Sequence, residues 1–115
     1  MKLVALAAIV AALIVPGALA SSTATTLNGT DGPGFTITLK KSGVKVTKLK
    51  HGTYLIKVAD KSNIHDFHLK GPGVDKKTGV SFVGTKTWTV TLKAGKYTYV
   101  CDPHASFMKG SFTVS

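Results

Sequence analysis

The sequence predicts an all-β domain, a Greek-key β-sandwich or barrel of seven to eight short strands. Three observations carry that reading. Apolar and polar residues alternate with period two, as in Phe35-Thr36-Ile37-Thr38-Leu39-Lys40 and in Thr87-Trp88-Thr89-Val90-Thr91-Leu92. Turn signals return about every 8 to 12 positions. No stretch beyond the N-terminal apolar run holds a helical period, which leaves a sandwich as the way to bury one face of each strand.

In chain order, Met1-Lys2 is a short positive segment, and Leu3 to Val15 is an unbroken apolar run of 13 residues. Ala18-Leu19-Ala20 follows as a small-x-small cleavage site, so residues 1–20 are expected to be a secretory signal peptide. The run is short for a bilayer span, which takes about 20 residues. Residues 21–34 read as a flexible leader, Ser/Thr-rich and then turn-forming at Asn28-Gly29 and Asp31-Gly32-Pro33-Gly34. Residues 35–115 are the expected folded domain. Phe35 to Lys40 is its first strand. Val44 to Thr47 is the second, ending near Lys50, and Thr53 to Ala59 is the third. Ile64 to Lys70 alternates again, with Ile64, Asp66 and His68 on one face and His65, Phe67 and Leu69 on the other. Val74 to Gly79 reads as a polar loop, and Val80 to Val83 as a short apolar piece. Thr87 to Leu92, Tyr97 to Cys101 and Lys109 to Val114 complete the strands, with Trp88, Tyr97, Tyr99 and Phe112 as core.

Charge narrows the partners. All 15 basic residues are lysines, and the only acids are five aspartates, for a net charge of +10. Loss of Lys2 with the signal peptide would leave 14 lysines and a charge of +9. Such a chain is drawn to anionic surfaces or partners. Nucleic acid is excluded as the expected partner, because arginine, the residue of bidentate phosphate and guanine recognition, is absent. The lysines read as a solvated surface that also protects sheet edges. An acidic redox partner is the protein partner they would suit, and the mature chain is expected to be a monomer with no stable membrane insertion.

Cys101 is the only cysteine, so no disulfide can form within the chain. A lone thiol in an exported protein is open to oxidation unless something occupies it. It lies in Cys101-Asp102-Pro103-His104-Ala105-Ser106-Phe107-Met108, which gathers a thiolate, an imidazole and a thioether within eight positions. That soft S/N/S set suits copper better than a hard cation. Copper sites of this type use one Cys and two His in a plane with a long axial Met, so one histidine must come from elsewhere. His51, His65 and His68 are available.

Here the sequence resembles the cupredoxins, the blue copper proteins such as plastocyanin, pseudoazurin, amicyanin and azurin. The resemblance rests on Cys101-Asp102-Pro103-His104 and Met108, on Asn63-Ile64-His65-Asp66-Phe67, and on Gly95-Lys96-Tyr97-Thr98-Tyr99 leading into the cysteine. It covers the layout of the mature chain. It implies His65, Cys101 and His104 as equatorial ligands of one type 1 copper ion and Met108 as the weak axial one. Two departures stand out. The spacing from His104 to Met108 lies between the amicyanin-like and plastocyanin-like loops. Asp66 stands where the family usually has an asparagine tying the two ligand loops together. An aspartate accepts hydrogen bonds but donates none unless protonated.

The function these expectations support is one-electron transfer by an exported copper protein, without catalysis. Copper handling on the same fold, or a non-redox structural sandwich, are the alternatives. A Cys–His nucleophile is disfavoured because no third group orients the pair.

Overall fold

The computed structural model describes residues 24–115. Ten strands form two five-stranded sheets packed face to face. The first sheet has the order β3 (Val44–Lys45), β2 (Ile37–Lys41), β1 (Thr25–Asp31), β5 (Gly52–Asp60), β8 (Gly84–Leu92). The second has β4 (Lys48–Leu49), β10 (Lys109–Val114), β9 (Gly95–Val100), β6 (His68–Gly71), β7 (Val74–Lys77). β1 runs parallel to β5, and β4 parallel to β10; the other pairs are antiparallel. The all-β sandwich is thus present, with more and shorter strands than the periodicity suggests.

The core lies between the sheets. Leu27, Leu39, Ile56, Val58, Phe67, Leu69, Leu92, Tyr97 and Tyr99 are fully or almost fully buried. Two stacked ring pairs organise it, Phe67 on Tyr99 with centroids 5.5 Å apart and Tyr97 on Phe112 at 5.3 Å. Tyr99 lies across its cross-strand neighbour Gly110 so closely that a Cβ there would fall inside the ring.

Several local expectations are corrected. Residues 25–31 are not leader but the central strand β1, with Leu27 and Asp31 buried. The Asn28-Gly29 pair, turn-forming in isolation, is drawn into strand by pairing with β2 on one side and β5 on the other. Glycine at 29 leaves room for the Phe67 ring, which would stand 3.0 Å from a Cβ at that position, tighter than ordinary contact. The expected signal peptide, and the start of the leader, lie outside the described residues. The stretch 44–49 is split between the sheets: β3 joins the first and β4 the second. Residues 64–67 are irregular and only His68–Gly71 is strand. The polar stretch 74–77 is strand β7, held by pairing to β6, while 80–83 forms turn and loop.

Candidate metal centre

The centre is built where the β5–β6 loop, residues 61–67, meets the β9–β10 connection. Val100 and Lys109 are the last pair of the β9–β10 ladder. The Cys101 N–H donates to the Met108 carbonyl at 2.9 Å, which closes the loop at its neck. Pro103 starts a single 3-10 turn, Asp102–His104. The His104 N–H bonds the Cys101 carbonyl at 3.0 Å, and the His104 carbonyl accepts from Phe107 at 3.1 Å and Met108 at 2.9 Å. The spacing is therefore that of one turn folded over a neck, which stacks residues 101, 104 and 108 near one point.

His65 reaches this point from the other loop. His65 and Cys101 are fully buried, Met108 nearly so, and His104 is half-buried. His65 Nδ1 stands 3.2 Å from His104 Nδ1, and Cys101 Sγ is 3.7 Å and 3.5 Å from these two nitrogens. A triangle with those sides is centred about 2.0 Å from each corner. Divalent metals of zinc's size take imidazole nitrogen at about 2.0–2.1 Å and thiolate at about 2.3 Å. As hydrogen bonds alone the arrangement is poor, because two ring nitrogens face each other beside a sulfur with few protons to share. As a soft donor set converging on a cation it fits. His65, Cys101 and His104 are brought together as the sequence suggests. Met108 closes the same loop. His68 points away, and His51 is exposed, with its Nδ1 2.9 Å from the Ser115 carbonyl.

Burial pushes the Cys101 thiol above its ordinary range, while the amides of Asp66 and His104 pull it down. A bound metal ion would hold the sulfur as thiolate outright.

Asp66 replaces the family's asparagine as a tie. Its Oδ1 accepts the Asp102 N–H at 2.6 Å, joining the His65 and Cys101 loops. Burial, then the nearby Asp102 carboxyl, push Asp66 up to about 6. Asp102 is itself held below the usual range by Asp66 and His68, against the effect of its own burial. His68 lies between two carboxylates. Its Nδ1 is 2.9 Å from Asp102 Oδ1, and its Nε2 contacts Asp75. Burial lowers its basicity, but Asp102 and Asp75 outweigh that and raise it.

Sequence reasoning missed two supports. Phe35, read only as a strand residue, sets its ring edge-on to both His65 and His104, with centroids 5.1 Å away in each case. Its position after Asp31-Gly32-Pro33-Gly34 gives no local signal of that contact. The second is a buried pair, Asp31 and Asp60, facing each other across β1 and β5. Burial, then the partner carboxyl, push Asp31 up to about 8, and among the described residues its two carboxyl oxygens have no hydrogen-bond partner. Asp60 accepts the Ser62 N–H at 3.2 Å. Asp60 also accepts from Thr78 Oγ1 at 2.9 Å, and Thr78 Oγ1 accepts the Phe67 N–H at 3.0 Å. This network braces the loop that carries His65.

Residues 20–115 match the family described as copper binding proteins, plastocyanin/azurin family, and the chain belongs to that family. It is a cupredoxin, and copper is its metal. Solved structures agree in fold. Rusticyanin from Thiobacillus ferrooxidans is 26% identical with a TM-score of 0.56, over 83% of this chain and 79% of that one. A reduced rusticyanin is 24% identical with a TM-score of 0.58, over 83% and 81%. No match is found among curated proteins.

Proposed function

We propose that this chain is an exported one-electron carrier whose copper would be held by His65, Cys101, His104 and Met108. The observation that supports it best is the triangle of Nδ1, Nδ1 and Sγ described above, on a fold whose family binds copper. A His2Cys plane with a distant Met is the donor set of electron-transfer copper, which cycles between Cu(I) and Cu(II).

The chain's own residues supply the rest. Two loops pinned by Asp66 and Asp102 hold the donors in one geometry, so little has to move between oxidation states. A protein donor set of this kind leaves no open position for a substrate, which suits a carrier and not an enzyme. Beside half-buried His104 stand the rings of Phe35 and Phe107, exposed by 58% and 57%, and Ile64, next to His65 in the chain, is exposed by 50%. Large apolar side chains left in solvent at one spot mark a contact surface. Electrons would enter and leave there, through the His104 ring, when a redox partner protein covers the patch. Residues 1–20 would direct export and be removed.

Adding Cu(II) to the mature protein tests this. An intense visible charge-transfer band that bleaches and returns on reduction and reoxidation is the expected result. Tight binding without that band would assign the chain to copper handling, and absence of binding would overturn both.

A further inference from the structure

The outer face of the second sheet carries a charge pattern that electron transfer does not require. Alternation forces it. Leu49, Leu69, Tyr97, Tyr99 and Phe112 point into the core, so their neighbours in sequence point out. The register then sets Lys48, Lys70, Lys77, Lys96 and Lys109 on one surface, across all five strands. Between them stand short side chains: Thr113 opposite Lys96, and Ser111 opposite Thr98. Lys45 reaches the rim, where with Lys96 and Lys109 it frames a shallow groove of about 450 Å³.

One carboxylate shares this face: Asp75 stands opposite Lys70, and Lys70 and Lys77 both help to hold it below its ordinary range. Asp31, Asp60 and Asp66 are buried. The two exposed aspartates, Asp75 and Asp102, are both taken by His68. Among the described residues no lysine is ion-paired to an aspartate. The opposite sheet carries fewer lysines outward: its positions on β1, β5 and β8 are mostly threonines with Lys57 among them, and Lys40 and Lys45 stand on its β2–β3 edge.

We propose that this face is a docking surface for an anionic lipid bilayer, laying the molecule on its side with the metal end free. The choice of occupant follows from what the face lacks. Protein interfaces depend on a few buried anchors, chiefly Trp, Tyr and Arg. The chain has no arginine, and its exposed large apolar residues, Phe35, Val44, Ile64, Val80, Val83 and Phe107, all lie off this face. Lysines spread over a flat sheet suit a plane of diffuse negative charge, where each contributes about 1 kcal/mol. The arrangement would let the carrier diffuse in two dimensions between partners while the His104 patch remains accessible. It does not depend on the ligand assignment.

The test is co-sedimentation of the copper-loaded protein with vesicles of phosphatidylcholine, alone or mixed equally with phosphatidylglycerol. Binding is expected only to the anionic vesicles at low salt, and is expected to be lost near 1 M NaCl, where the screening length falls to about 3 Å. A triple variant, Lys48→Gln, Lys70→Gln and Lys96→Gln, should lose about a hundredfold in affinity. A control with equal charge loss elsewhere, Lys57→Gln, Lys61→Gln and Lys86→Gln, should stay within about threefold of the parent. Circular dichroism confirms that both fold. Equal losses in the two variants, or no anionic-vesicle binding at low salt, would overturn the proposal. So would selective binding of soluble polyglutamate through this face without vesicle binding, which would reassign it to an acidic protein.

Discussion

The carboxylate of Asp66 accepts the backbone N–H of Asp102 at 2.6 Å and so joins two loops 36 residues apart in sequence. Each loop carries part of the copper site, next to His65 on one side and Cys101 on the other. An asparagine at 66 could keep this bond through its side-chain carbonyl and would remove a negative charge. Anionic charge beside the site favours Cu(II) over Cu(I), so Asp66→Asn should raise the reduction potential. The expected rise is on the order of 60 mV, a tenfold shift in the one-electron ratio. Voltammetry measures it, and an unchanged or lower potential would show that the carboxylate does not act on the metal.

The three donors surround a point about 2.0 Å from each. Copper should therefore bind the folded chain far more tightly than the unfolded one. At a hundredfold excess over the dissociation constant, that linkage contributes about 2.7 kcal/mol. For a domain of this size each kcal/mol moves Tm by roughly 4–8 °C, so copper should raise Tm by about 10–20 °C. Removal by a strong chelator should reverse the shift. Cys101→Ala should abolish it, and an unchanged shift in that variant would place the stabilising copper elsewhere.

How far the sequence carries depends on how local the cause is. Cys101, His104 and Met108 were legible because one turn over one neck brings them together, and nothing distant is needed. His65 came from the family resemblance and not from alternation, which has no force at 64–67 because those residues are not strand. β1 was hidden for the opposite reason. Its Asn-Gly pair reads locally as a turn, but parallel pairing to β5 and the seat for Phe67 over Gly29 decide its shape. The same holds for Phe35, whose contacts with His65 and His104 are made across the fold.

Gly110 offers a test of the packing beneath the site. Tyr99 lies over it, and a Cβ would enter the ring. Gly110→Ala should force the ring off its stack on Phe67, at about 1–3 kcal/mol, the usual cost of overpacking. Thermal unfolding should show Tm lower by several degrees. A Tm equal to that of the parent would mean that the β9–β10 ladder yields more easily than its packing implies.

Asp31 makes stability depend on pH in a direction opposite to that of a salt-bridged aspartate. Its ordinary value is 3.8, and burial beside Asp60 pushes it up to about 8 in the folded chain. Between those values the native state holds a proton that the unfolded chain has released, so stability falls as pH rises through the window. Below about pH 4 both states are protonated and nothing is lost. Asp66, raised to about 6, and His68, raised by its two carboxylates, contribute falls of the same sign. Comparison with Asp31→Asn isolates this residue, because the amide has nearly the same shape and cannot ionise. Urea unfolding at intervals from pH 5 to pH 9 should give a declining stability in the parent and a shallower decline in the variant, with the difference in slope spread from pH 5 to about pH 8 and gone above it. Parallel profiles would show that Asp31 does not hold the proton, and that its two buried oxygens find partners by another route.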